Sequence, residues 1–475
     1  MTSTQPIDKS RWLHVPMEIV DRELYPKLLL ISEAINDGWQ CVIGTKRALI
    51  DAADKIPPGV IYLKSVIPSE YVFMKRFKEN GHRLVSLDEE GLIQTSLDTL
   101  VSARYCDKTV ALTEKFFCWG SIQRKALQER YPEHASKFKE TGSPTADLWN
   151  LKAHDVHQQQ VDKLHERYGK YILFPSSFAV PNHFMGPEEA LGIMKRDNMF
   201  RNEEEYKYYK RYHDYVEKVF HAFLKLLPDL AKEFPNHTII VRPHPSDNHE
   251  TWKNAVQAEG INNAEVIFQG SVSPWLLGAE AILHWGSTTG LEAYLLGRPV
   301  IGHTPYPEEE KAFDVLPHLV SIMTHSKDEV FNALRYVINN PDDWKSHYPD
   351  VLKGHKKLRE WIYNMDGKPA TRTIMDDLAT MNVEEHSFNG TIKKVVKSQD
   401  FKEIVWKGFA LLDKLPLLAK FFPERIKLGL KSREFGHHKT KPVREEEIKL
   451  ALKQISNVPT ITQKLSDDLF LIRKA

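Results

Sequence analysis

Short apolar runs, most of them separated by a helix-length segment, constrain this chain more than any other feature. The runs are Trp12–Pro16, Gln40–Gly44, Val60–Leu63, Arg83–Leu87, Lys108–Leu112, Phe116–Trp119 and Tyr171–Phe174, with others near 238–242, 264–268, 281–285 and 299–302. Helical patterns lie between them, among them Glu23–Asp37, which stops at Gly38, and a long charged stretch at 203–233. Strand, helix and strand in that order make a right-handed βαβ unit, so the spacing predicts parallel sheets covered by helices. No internal repeat is visible in the sequence.

At 475 residues the chain exceeds one hydrophobic core, and two domains are expected. Residues 151–170 are polar with helical spacing and read as a connector. That divides the chain into an N-terminal Rossmann-like domain at 1–150 and a C-terminal Rossmann-like domain at 171–390. The expected fold is therefore α/β of the GT-B type, two Rossmann-like parallel-sheet domains facing a cleft. No G-x-G-x-x-G follows a predicted strand, which counts against a dinucleotide fold. Residues 391–475 read as a basic helical extension.

Charge and composition narrow the partners. A formal charge of +1 argues against a nucleic-acid binder, so none is expected. Cys41, Cys106 and Cys118 cannot all pair and fit no zinc or redox spacing, which suits a reducing cytoplasm. The first residues lack the apolar core of a signal peptide, and no apolar run approaches the ~20 residues of a spanning helix. Between Lys393 and Arg444, however, fourteen Lys/Arg face five Asp/Glu, with apolar residues at helical spacing from Phe401 to Leu415. That segment reads either as a peripheral contact with an anionic inner-membrane surface or as helices packed back on the domains with a solvated basic face.

Two turns carry the chemistry. The run Ala281–Trp285 enters Gly286-Ser287-Thr288-Thr289-Gly290, and a helix begins at about Leu291. Free backbone N–H groups and hydroxyls at a helix start make an anion site suited to a nucleotide phosphate. Each of those hydroxyls also reads as an ordinary helix cap. Glu292, one turn on, suits the helix dipole or a ribose hydroxyl equally. Upstream, the strand near 238–242 ends in Arg242-Pro243-His244-Pro245, where two prolines fix the backbone around an imidazole able to donate to a phosphate or protonate a leaving group. Arg242 is a phosphate partner or a structural ion pair. Strand-end loops of an open parallel sheet are where ligands bind.

A third cluster follows Arg83–Leu87: Asp88-Glu89-Glu90-Gly91. Adjacent carboxylates repel, which raises pKa values and suits a base toward an acceptor hydroxyl; solvated acidic turns have the same composition. Glu18, Arg22 and Glu23, together with Ser176, Asn182 and His183 after Phe174-Pro175, are secondary candidates.

Taken together, Pro16-x-Glu18 with Arg22-Glu23 and Leu28-Leu29-Leu30, Lys64-Ser65, Gly81-His82-Arg83, Asp88-Glu89-Glu90-Gly91-Leu92, Trp119-Gly120, Thr141-Gly142-Ser143-Pro144 with Asp147-Leu148, Arg242-Pro243-His244-Pro245 and Gly286-Ser287-Thr288-Thr289-Gly290-Leu291-Glu292-Ala293 form a recognisable set. Over residues 12–305 the chain resembles the bacterial capsule and O-antigen biosynthesis proteins related to β-Kdo transferases, and more distantly the CMP-sialic-acid sialyltransferases. The resemblance implies a CMP-activated 2-keto sugar acid as donor, a glycan or lipid-linked acceptor, no cofactor and no metal. It places the catalytic carboxylate on Glu89 or Glu90, with Asp88 leaving the register open by one. It gives His244 contact with the donor phosphate, held also by Ser287 and Thr288. For a retaining route it leaves Asp214 or Asp247 as a second carboxylate. Polyol-phosphate transfer on the same fold, or a non-catalytic scaffold, are the other readings.

Overall fold

A computed structural model describes residues 7–92, 97–151, 153–196, 200, 202–310, 313, 315–365, 367–389, 392 and 442–475. Sixteen strands are named among them: β1 (Ile7–Ser10), β2 (Trp12–Met17), β3 (Gln40–Thr45), β4 (Val60–Leu63), β5 (Arg83–Leu87), β6 (Lys115–Cys118), β7 (Phe138–Glu140), β8 (Tyr171–Pro175), β9 (Thr238–Arg242), β10 (Ala264–Val266), β11 (Ala281–His284), β12 (Val300–His303), β13 (Ile322–Thr324), β14 (His386–Phe388), β15 (Thr460–Ser466) and β16 (Leu469–Lys474). They fall into two compact units, each discontinuous in sequence: residues 1–63, 72–84 and 381–475, and residues 64–71 and 85–380.

In the first unit the strands run β15-β16-β3-β2-β4 side by side. β2 pairs in parallel with β3 and β4, and all six of its residues are buried. Burial on both faces is why Trp12–Met17 does not alternate; its one polar side chain, His14, donates from Nε2 to the Pro57 carbonyl at 2.8 Å. The C-terminal residues complete this sheet. Leu469–Ile472 are buried and pair antiparallel with Gly44–Cys41 of β3. The helix Glu445–Ile455 lies against the helix Val20–Asn36, where Tyr25 donates to Gln454 at 3.0 Å. Residues 445–474, read above as part of a helical extension, are thus one helix and a β-hairpin. Lysine density obscured the Leu-Phe-Leu-Ile strand. The basic residues 393–441 lie outside the described residues.

The second unit holds the parallel ladder β5-β6-β7 and a six-stranded parallel sheet, β10-β9-β8-β11-β12-β13. The 203–233 pattern is one helix, Glu203–Glu233, started by Asn202, whose side chain accepts from Glu205 N–H. It buries Val216, Val219, Phe220, Phe223, Leu226, Leu227 and Leu230 as one apolar stripe. Lys108–Leu112 corrects the reading above: it is the helix Asp107–Leu112, not a strand. A short apolar run has no periodicity to separate the two states. Here Asp107 in the first turn and Thr109, whose hydroxyl returns to the Cys106 carbonyl at 3.0 Å, favour the helix.

Candidate active site

Numbered from β8, the six-stranded sheet has strand order 3-2-1-4-5-6, the doubly wound order with a switch point where the chain reverses direction across the sheet. β9 lies on one side of β8 and β11 on the other. With strands ~4.8 Å apart, the loops after β9 and β11 emerge ~10 Å from one another, astride the end of β8. The hydroxyls of Ser176 and Ser177 bridge them. Ser177 Oγ donates to the Trp285 carbonyl at 2.5 Å, and Ser176 Oγ donates to the Asp247 carboxylate.

The turn after β9 presents His244, which is exposed. Its Nδ1 accepts the Ser246 N–H at 3.1 Å, so in the neutral ring the proton resides on Nε2. The Asp247 N–H donates to the His244 carbonyl at 2.9 Å and closes the turn, and Pro245 lies within it. Arg242 behaves differently. It is buried, donates to the carbonyls of Gln269 (2.8 Å) and Gly270 (2.5 Å), and stands over the rings of Phe268 and Trp275. It fixes the loop after β10. Asn182 is also taken up in structure, accepting from the Thr251 hydroxyl at 2.9 Å and donating to the Asn248 carbonyl at 3.2 Å.

The turn after β11 begins at Gly286, whose φ of +62° is the left-handed region a side chain resists. Its N–H donates to His318 Nε2 at 3.3 Å. Ser287 Oγ and Thr289 Oγ1 lie 2.6 Å apart, and the helix Thr289–Leu295 follows Thr288. Glu292 is buried and accepts from Ser273 Oγ at 2.5 Å. His244, Ser176, Ser287, Thr288, Thr289 and Glu292 are therefore set on one edge of one sheet.

The carboxylate cluster follows β5 and forms its own assembly. Arg104, which no local pattern singles out, donates to Asp88 through Nε at 2.5 Å and Nη2 at 2.7 Å, and through Nη1 to Glu90 at 2.9 Å. Burial pushes the Asp88 carboxyl above its usual range, with Arg104 pulling back. Asp88 also holds the turn from below: its carbonyl accepts the Trp119 indole N–H at 2.7 Å. A Cβ on Gly91 would stand 2.6 Å from Gln123 and 2.8 Å from Trp119, so the Asp-Glu-Glu-Gly and Trp-Gly motifs pack on one another. Glu89, between two carboxylates bound to Arg104, is half-buried and its N–H donates to the Lys64 carbonyl at 3.0 Å.

Other motif residues are structural. Asp147 accepts the N–H groups of Ala370 and Thr371 at 2.7 and 2.8 Å and so caps the helix Ala370–Ala379. Glu23 is buried on Lys27 at 2.5 Å and accepts the N–H groups of Glu18 and Ile19, while Glu18 pairs with Lys46 at 2.8 Å. Asp214 is exposed beside His213 and Glu217, a trio whose ligand atoms lie within 4.8 Å of one another on the Glu203–Glu233 helix.

Residues 208–306 match the family of capsule polysaccharide biosynthesis proteins. That span holds both strand-end turns. Among curated proteins no sequence matches the chain. Solved structures show the fold: a wall teichoic acid polymerase, TagF, is similar with a TM-score of 0.50 at 12% identity, covering 78% of this chain and 88% of that one. The UDP-bound MnaA of S. aureus (TM-score 0.48, 11% identity, 78% and 96% covered) and the UDP-GlcNAc 2-epimerase of Neisseria meningitidis (0.48, 13%, 78% and 100%) are also similar. The fold is GT-B in class, built on parallel Rossmann-like sheets. Among the described residues no helix is long and apolar enough to cross a membrane.

Proposed function

We propose that the chain is a glycosyltransferase of surface-polysaccharide assembly that moves a 2-keto sugar acid, Kdo or a nonulosonic acid, from its CMP donor to a glycan or lipid-linked acceptor. One observation carries the reading: the His244 and Ser287–Thr289 turns stand astride the switch point of a doubly wound sheet, inside the segment that matches the capsule family. In the reaction the bond from the anomeric carbon to the CMP phosphate breaks, a bond to the acceptor oxygen forms, and the hydroxyl proton leaves. His244, donating from Nε2, and the backbone N–H groups at Ser287–Thr289 meet the charge on the departing CMP without a metal. Glu89 or Glu90 assists the acceptor hydroxyl or the oxocarbenium-like centre. Arg104 engages Asp88 and Glu90 and so holds the turn that presents these carboxylates.

Isothermal titration with CMP, CDP, UDP and GDP, beside His244→Ala, tests this. CMP binding that is lost in the variant is the expected result. Preference for UDP or CDP overturns the donor, and no binding to any nucleotide turns the reading to a non-catalytic scaffold. The likeness to the teichoic acid polymerase supports a second reading, polyol-phosphate transfer from a CDP-polyol. Turnover of CDP-glycerol would decide for it. The basic segment 393–444 is proposed as a peripheral contact at the inner face of an anionic membrane. Truncation at 390 would remove β16 from its sheet, so neutralising lysines within 393–441 is the sounder test. Flotation with anionic vesicles that is unchanged by the substitutions rejects the contact.

A further inference from the structure

Asp247 is a buried carboxyl, 2% exposed, and among the described residues no Lys or Arg pairs with it. Its neighbours are neutral donors. Ser176 Oγ, at the end of β8, hydrogen-bonds Oδ2. The backbone amides of His244 and Phe178 and the Trp252 indole lie near enough to favour the charged form, but among the described residues Oδ1 itself is left without a hydrogen-bond partner. Its own N–H donates to the His244 carbonyl at 2.9 Å, and its backbone bridges antiparallel to His183. The residue therefore grips the His244 turn from both backbone and side chain, and ties it to the segment that follows β8.

We infer that Asp247 is a positioning residue for the phosphate site: through Ser176 its carboxylate latches the His244 turn onto the carboxyl end of β8, setting where the imidazole stands. The inference rests on the reading that this turn receives a nucleotide phosphate. Burial makes the carboxylate costly, raising its pKa to about 6, and an uncharged asparagine of the same shape would avoid that cost. The charge strengthens the hydrogen bonds it accepts, since bonds to an ionised acceptor are roughly twice as strong as neutral ones. An asparagine would also turn an NH2 group toward donors that need an acceptor.

The test sets stability against binding in the full-length protein. Asp247→Asn and Ser176→Ala are each titrated calorimetrically with CMP at pH 7.5, and their melting temperatures are recorded. Asp247→Asn is expected to melt higher than wild type yet bind CMP about tenfold more weakly, the size of one charge-assisted hydrogen bond. Ser176→Ala is expected to weaken CMP similarly while the protein stays folded. A residue with only a structural role would move both quantities together. The inference is overturned if Asp247→Asn binds CMP as wild type does, or if both variants lose binding only in step with melting temperature. A wild-type protein that binds none of CMP, CDP, UDP or GDP removes the phosphate-site reading itself, and this inference with it.

Discussion

Asp88 and Asp247 are equally buried aspartates, each 2% exposed, each beside a strand end, and each with its carboxyl pushed upward by burial. Their partners differ. Asp88 has a guanidinium in bidentate contact, which compensates its charge and makes the Asp88–Arg104–Glu90 group a lock for the turn. Among the described residues Asp247 has the Ser176 hydroxyl on one oxygen and no hydrogen-bond partner on the other, with neutral N–H groups nearby. A cation partner holds a carboxylate in its charged state for the sake of the fold. Neutral donors leave it close to titration, a state the fold gains nothing from, and that contrast separates a structural carboxylate from one serving a site.

Removing the cation gives the largest expected effect. Arg104→Met leaves a buried carboxylate uncompensated and should cost ~3–5 kcal/mol in chemical denaturation. Because burial raises the Asp88 pKa, the loss should shrink as pH is lowered and the carboxylate takes up a proton. A cost under ~1 kcal/mol would place the two aspartates in the same class.

The next effect has the opposite sign. Asp247 rises from 3.8 to about 6 on folding, so at higher pH its charge costs the native state up to ~3 kcal/mol. The folded protein holds the proton that the unfolded chain has released, and stability falls as pH rises between those values. Asp247→Asn should therefore gain over wild type from pH 4 to pH 6 and hold that gain above it. Stability curves that run parallel across this range would show that the charge costs nothing. His14 and His284, both pushed well below the usual histidine range by burial, act the other way. They destabilise wild type and variant alike as pH falls below about 6.5, so only the difference between the two curves is diagnostic.

Asp147 gives the smallest change. Asp147→Ala removes the cap of the Ala370–Ala379 helix and should cost ~1–2 kcal/mol by thermal unfolding. Nucleotide binding should be unaltered, which would separate this motif residue from the phosphate site.

Much of this architecture was legible in the chain because hydrophobic period and turn residues act locally. Arg83–Leu87 and the 203–233 helix stand where the sequence puts them, and Gly286 punctuates its turn as expected. The Arg-Pro-His-Pro and Gly-Ser-Thr-Thr-Gly turns were visible for the same reason. What no local pattern contains is partnership. Arg104 lies sixteen positions from Asp88, Ser176 seventy-one from Asp247, and Asp147 more than two hundred from the helix it caps. The Leu469–Ile472 strand finds β3 across nearly the whole chain. The sequence by itself determined most strands and helices, though not the Asp107–Leu112 helix or the 460–474 hairpin, and which turns end in histidine, hydroxyls or carboxylates. Only the tertiary structure decided which carboxylate receives an arginine and which is buried among neutral donors, because desolvation and charge compensation depend on neighbours that distant segments supply.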